Sequence, residues 1–189
     1  MARISYVERD QAPPEVAEVF ARMEARGAPV GNLWKMTAHI PSTLLHLIRM
    51  GNALLTKTKL DPKLREMAIL LTAELLDCEY ERRAHRMFGK EVGMTDEQVK
   101  AIKDFESSPA FNDAERAVLR FASEVAQRGR VKDSTFAALS KHLGEDMMVE
   151  LAQTVGFYGM LGRILLAFEV DLSEAVPASS SQITGRSQQ

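Results

Sequence analysis

The chain of 189 residues contains one cysteine and one tryptophan, and aromatic residues make up only 6% of it. A single thiol cannot close a disulfide within the chain, which fits a reducing compartment. It also leaves the chain without a thiol pair of its own for redox chemistry. No excess of one charge sign exists either: 24 Lys and Arg face 26 Asp and Glu, a net charge of -2. Neither nucleic acid nor an anionic membrane is therefore an expected partner. No apolar run approaches the roughly 20 residues that span a bilayer. The opening "MARISYVERD" lacks the apolar stretch of a signal peptide, so a cytoplasmic location is expected. A glycine-rich phosphate loop, a paired-cysteine metal site and a His-x-x-x-His pair are all missing. Neither a metal nor another cofactor is expected.

What is present is helix. Hydrophobic residues at 46% and charged residues at 26% describe an ordinary globular chain, long enough for one domain with a sizeable core. Pro13–Pro14 precede Val16, Val19, Phe20 and Met23 at helical spacing, and Pro41 opens a second amphipathic segment. Asp61–Pro62 reads as an N-cap followed by proline at the first helical position. The segment behind it, "KLREMAILLTAELL", is apolar almost all round and should run through the core. Thr95 with Gln98 and Asn112 with Glu115 form capping boxes, and Gly93 and Gly129 stand where helices end. "KDSTFAALSKHLG" reads as a shorter helix and "EDMMVELAQTVGFYGMLGRILLAFEV" as a long one. No strand alternation and no repeat is visible. The expectation is an all-α multihelical protein: an arm and helix over 1–30, a domain over 31–173 and a disordered tail over 174–189. Apolar surface on "LLHLIRMGNALL" and "FYGMLGRILLAF" points to homo-oligomeric contacts.

The chemistry concentrates in "DCEYERRAHRMFG", residues 77–89. On a continuous helix Cys78, Glu81 and His85 stand at i, i+3 and i+7 and share one face. Next to a greasy helix that face meets a low-dielectric interior, where a glutamate resists ionisation and suits proton exchange near neutrality. An imidazole titrates in the same range. Cys78 becomes a nucleophile only if a neighbour lowers its pKa or removes its proton. In the structural alternative, the cysteine is a small core residue, Glu81 an ion-pair partner and His85 a core histidine. Arg163, within "GFYGMLGRILLA", must find an anion or carbonyls, and Glu66, Glu81 or a substrate carboxylate are its candidate partners. Trp34, His39 and His46 read as packing or contact residues, and His142 as solvated.

The run from Leu60 to Ile102 resembles the carboxymuconolactone decarboxylase family, which includes the AhpD-like alkyl hydroperoxidases. The residues that carry the likeness are "LDPKLRE", the short reactive segment ending in His85, and "GMTDEQVKAI". The segments around "NLWKMTAHIPSTLLHLIRMGNALL" and "ERAVLRFASEV…FYGMLGRILLA" extend it over nearly the whole chain. The resemblance implies an AhpD-like fold and homo-oligomers, as dimers or trimers of dimers. It matches Cys78 to the first cysteine of the peroxidase motif, His85 to its histidine and Glu66 to its upstream proton-relay glutamate. The second cysteine is replaced by Glu81, and peroxide reduction through a dithiol needs that second thiol. The decarboxylase branch, with Tyr–Glu-like residues before the histidine as in "EYERRAH", implies a carboxylate grip and a proton donor.

Three functions follow as expectations. The first is a cofactor-free acid–base enzyme, a lyase or isomerase, acting on a small carboxylated or lactone substrate. It would use Glu81 and His85, with Glu66 orienting the histidine, and Tyr80 and Arg163 would bind substrate. The second is a thiol peroxidase using Cys78 and an external resolving thiol. The third is a silent oligomeric scaffold.

Overall fold

Proline and side-chain caps open most of the helices. A computed structural model describes residues 1–27 and 29–172, and the tail expected over 174–189 lies outside the described residues. Every regular element among them is helical, as the all-α expectation required. The chain divides into two units. One comprises Met1–Lys57 with the residues from Ile164 onward, and the other Thr58–Arg163.

In the first unit, α1 (Pro14–Ala25), α2 (Asn32–Thr37) and α3 (Pro41–Thr56) follow one another. Val16 and Phe20 of α1 share one buried cluster with Ala38 and Leu44, and half-buried Trp34 packs against it. Residues of the arm and helix expected over 1–30 thus pack with residues beyond position 30. His39 is exposed, with its Nε2 2.8 Å from the Ser5 carbonyl oxygen, and His46 is exposed on α3.

The second unit holds α4 (Pro62–Leu75), α5 (Glu79–Glu91), α6 (Asp96–Lys100), a 3-10 turn (Ile102–Asp104), α7 (Asp113–Arg128) and α8 (Asp133–Leu139). It also takes in α9 (Glu145–Ala167) as far as Arg163. Asp61 caps α4 by accepting from the Lys63 and Leu64 amides at 2.9 and 3.1 Å. Both capping boxes form, at Thr95–Gln98 and Asn112–Glu115. Glu115 also accepts from Gln98 Nε2 and from Lys63 Nζ, so one buried carboxylate ties the starts of α4, α6 and α7 together. Helix α4 is buried from Arg65 to Glu74 and packs against both α5 and α7. Its side chains join Leu119, Phe121, Leu139, Leu151 and Val155 in the main core. The central helix is buried as its all-round apolar character demands.

The turn between α4 and α5 fixes the site. Asp77 adopts a positive φ of 56°. Its amide bonds the Glu74 carbonyl at 3.2 Å, while the Cys78 amide reaches back to the Ala73 carbonyl at 2.9 Å. This pair of bonds is a Schellman ending, with aspartate where glycine is usual. Only three residues separate the two helices, so α5 folds back along α4 as a hairpin.

Candidate active site

Because α4 is buried on every side, Glu66 cannot turn its carboxylate to water and must find a partner inside. It meets His85 of α5. Glu66 Oε2 lies 2.6 Å from His85 Nδ1, a short charge-assisted hydrogen bond. One turn before His85 on the same helix face, Glu81 places Oε2 3.4 Å from His85 Nε2. The imidazole is thus held between two carboxylates. All three residues are nearly closed to solvent, at 1% exposure for Glu66, 3% for His85 and 5% for Glu81. Burial opposes the imidazolium, yet the Glu66 and Glu81 carboxylates outweigh it and raise the His85 pKa to about 9. At neutral pH His85 therefore holds its second proton, donating from Nδ1 to Glu66 and pointing Nε2 at Glu81. Phe88 and Tyr158 close the ring edge-on, with centroids 5.5 and 4.8 Å from the imidazole. The Tyr158 hydroxyl is kept neutral, first by burial and then by the same two carboxylates.

Cys78 does not share the helical face expected for it. It is the N-cap of α5, with φ -94° and ψ 93°, one residue outside the helix. The i, i+3, i+7 relation holds on a continuous helix, and the Schellman turn interrupts it before Glu79. The thiol is buried, and the ideal Cβ position of Gly162 lies 3.9 Å from its sulfur. Burial raises its pKa, with the amides of Tyr80 and Glu81 pulling the other way without prevailing. The Cys78–Glu81 spacing has a further consequence. A glutamate three residues after an N-cap commonly reaches back to the N-cap amide. Here that amide is already bonded to Ala73, so the Glu81 side chain is free to turn to His85. Its second oxygen, Oε1, is buried and has no hydrogen-bond partner.

Neither glutamate expected as a partner of Arg163 is bonded to it. Arg163 donates from Nη1 to the Gly159 carbonyl at 2.8 Å and from Nη2 to the Ala126 carbonyl at 3.5 Å. It is exposed and pairs with neither Glu66 nor Glu81. Helical rotation points it outward, where carbonyls satisfy it. Arg65 is the arginine beside the line, with Nε 3.8 Å from Glu66 Oε1. That separation is too long for a hydrogen bond. Arg65 is 7% exposed, and its Nε has no acceptor. A sequence signal existed, since Arg65 directly precedes Glu66 in an otherwise apolar helix. Tyr158 was the other omission, and only its rotation within α9 distinguishes it. Tyr80 is half-buried on the first turn of α5, and His142 is exposed.

Among the described residues, no group of three His, Cys, Asp or Glu side chains is arranged to hold a metal ion. No helix among them is long and apolar enough to cross a membrane. Residues 41–124, which contain the whole Glu66–His85–Glu81 line, match the carboxymuconolactone decarboxylase family. No curated protein matches the sequence. Among solved structures, the chain is similar to the alkylhydroperoxidase AhpD core of a peroxidase-related protein from Ralstonia eutropha JMP134. The identity is 20% over 92% of this chain and 93% of that one, with a TM-score of 0.81. A peroxidase-related protein from Silicibacter sp. TM1040 is similar at 18% identity, over 92% of each chain, with a TM-score of 0.79. A cysteine-to-alanine variant of the debrominase Bmp8, in complex with 2,3,4-tribromopyrrole, is similar at 19% identity. There the likeness covers 93% of this chain and 94% of that one, with a TM-score of 0.77. At such identities these likenesses speak for the fold. The chain is thus an all-helical protein with the AhpD-core fold, and its segment 41–124 matches the carboxymuconolactone decarboxylase family.

Proposed function

We propose that the protein is a cofactor-free acid–base enzyme, a lyase or isomerase acting on a small carboxylated or lactone substrate through Glu81 and His85. The observation that carries this reading is the buried line from Glu66 through His85 to Glu81, which ends at an oxygen without a protein partner. In a decarboxylation the bond to the leaving carboxylate breaks, carbon dioxide departs and the electron pair stays on the substrate carbon. The Glu81 carboxylate takes the proton of His85 Nε2–H and delivers it to that carbon, forming the new C–H bond and leaving Glu81 a carboxylate again. Solvent restores the imidazolium. An isomerisation uses the same oxygen to take a proton from one carbon and return it to another. Glu66 holds the ring in place and stabilises its charge. Such general acid–base work contributes about 10²–10⁴-fold in rate. The match of residues 41–124 to the carboxymuconolactone decarboxylase family and the raised pKa of His85 both support the reading.

One observation favours a second reading. The first-turn amides of Tyr80 and Glu81 act on the Cys78 sulfur, the arrangement that stabilises a thiolate at a helix N-terminus. A peroxidase would use that thiolate to attack a peroxide oxygen, releasing the alcohol and leaving a sulfenic acid for an external thiol to reduce. Burial of the thiol and the lack of a second cysteine work against it. Treatment with hydrogen peroxide, followed by mass spectrometry of Cys78, separates the two. The acid–base reading expects slow oxidation and turnover of small lactone acids, whereas rapid sulfenic acid formation replaces it with the peroxidase. Silence in both assays leaves the scaffold.

Homo-oligomeric assembly belongs to the same proposal. Met50 on α3 and Met160, Leu166 and Phe168 in and after α9 are exposed, as contact residues would be in the free chain. Light scattering at micromolar concentration tests it, and a monomer would reject it.

A further inference from the structure

The Nε of Arg65 is a buried donor without an acceptor among the described residues. The nearest carboxylate oxygen, Glu66 Oε1, stands 3.8 Å away, and the other oxygen of that carboxylate is held by His85. A guanidinium cannot shed its charge by deprotonation, so burial without hydrogen bonds is costly. The exposed Arg163 shows the ordinary remedy, since its guanidinium donates to two backbone carbonyls. The Nε of Arg65 has none. Glu81 Oε1 is the complementary case, a buried acceptor without a donor. Arg65, Glu66 and Glu81 all act electrostatically on the Tyr158 hydroxyl.

We propose that Arg65 is the carboxylate-binding residue of this site, and that the ligand is a small organic monoanion whose carboxylate accepts from the Arg65 guanidinium. This inference rests on the acid–base reading of the same site and supplies the grip that Arg163 does not. The charge balance selects the class of anion. Arg65 and the His85 imidazolium face the carboxylates of Glu66 and Glu81, so the cluster is neutral overall and tolerates one added negative charge better than two. That favours a carboxylate over a phosphate dianion, which would meet two buried glutamates. The planar fork of arginine matches a carboxylate through two parallel N–H donors, Nε and one Nη. Glu81 Oε1 then asks the same ligand for an O–H, N–H or acidic C–H group, the kind of proton the reaction moves.

Acetate is the smallest probe of the grip, and the ring signals of His85 in the NMR spectrum of the intact protein report its arrival. Acetate is expected to shift those signals saturably, and acetamide, of the same shape without the charge, is expected to leave them unmoved. Phosphate at equal ionic strength should bind more weakly than acetate. Arg65→Met is expected to lose at least tenfold in acetate affinity. Arg65→Lys keeps the charge without the fork and should lose less; it also serves if the methionine variant does not fold. Equal responses to acetate and acetamide, tighter binding of phosphate, or no saturable shift with acetate would overturn the proposal. So would wild-type acetate affinity in a folded Arg65→Met protein, or in Arg65→Lys should the methionine variant not fold. Glu81→Gln keeps the arginine, so acetate should still bind to it. If acetate binds through Arg65 while no lactone acid is turned over, the anion site stands and the acid–base reading falls.

Discussion

Helices α4 and α5 carry two clusters of carboxylates and cations whose bonding differs. Near the turn, Arg82 reaches Glu74, Asp77 and Glu79, at 3.3, 2.7 and 2.7 Å. Arg86 adds a contact to Glu74 at 2.9 Å. Every carboxylate of this rim cluster has an arginine partner, and Asp77 is 87% exposed. Deeper in the same pair of helices, Glu66, His85 and Glu81 form a line that is nearly closed to solvent, flanked by Arg65. The rim is saturated, and the buried line keeps an open donor and an open acceptor. Exposed ion pairs contribute roughly 0.2–1 kcal/mol each and tolerate loss. Buried unpartnered groups cost stability, and a fold keeps them where a ligand or a proton transfer completes them. The rim is therefore read as scaffold and the buried line as the reacting centre.

The comparison breaks first at Glu81. Glu81→Gln preserves shape and removes the carboxylate that relays the proton, so turnover of the true substrate should fall by about 10²–10⁴-fold while the far-ultraviolet circular dichroism spectrum stays the same. A variant with wild-type turnover would move the chemistry elsewhere.

The next effect is on stability. The folded-state pKa of His85 is raised from 6.5 to about 9. Its stabilising contribution is thus complete below pH 6.5 and is lost as the pH climbs through 9. That contribution amounts to about 3 kcal/mol at most, since each tenfold gain in proton affinity is worth roughly 1.4 kcal/mol. Urea unfolding between pH 6 and pH 10 should show the decline, and Glu66→Gln should flatten it by removing the nearer carboxylate. A slope unchanged in Glu66→Gln would mean that the pair does not hold the proton.

A smaller effect is expected at Cys78. A serine hydroxyl at this N-cap is able to accept from first-turn amides, which offsets its burial. Cys78→Ser should alter stability by about 1 kcal/mol or less and turnover by less than about threefold. Loss of all activity in this variant would promote the thiol above Glu81. The smallest effect belongs to the rim. Arg86→Gln removes a cation that is 43% exposed, and a change of about 0.5 kcal/mol with unaltered turnover is expected. A large loss of turnover there would show that the rim reaches the reacting centre after all.

The sequence by itself determined the helices, most of their boundaries and the deep burial of α4. Asp61, Thr95 and Asn112 satisfy helix amides within three residues of themselves, and an all-round apolar segment has nowhere to go but inside. It also determined that Glu81 and His85 meet, because four residues on a helix is one turn. The family likeness supplied Glu66 as a candidate, but its contact with His85 spans nineteen positions and exists only because α5 folds back on α4. Periodicity cannot say which side of a fully buried helix faces which neighbour. It was therefore silent on Arg65 and Tyr158, and it gave no means of choosing between Arg163 and Arg65. The place of Cys78 was hidden for a different reason. Aspartate at a positive φ is an infrequent helix ending, so nothing in "LLDCEY" announced that the chain would turn there. Local hydrogen bonds reach no farther than a turn, and it was the packing of α5 against α4 and α9 that brought two carboxylates, an imidazolium and an arginine with an open Nε into one dry place.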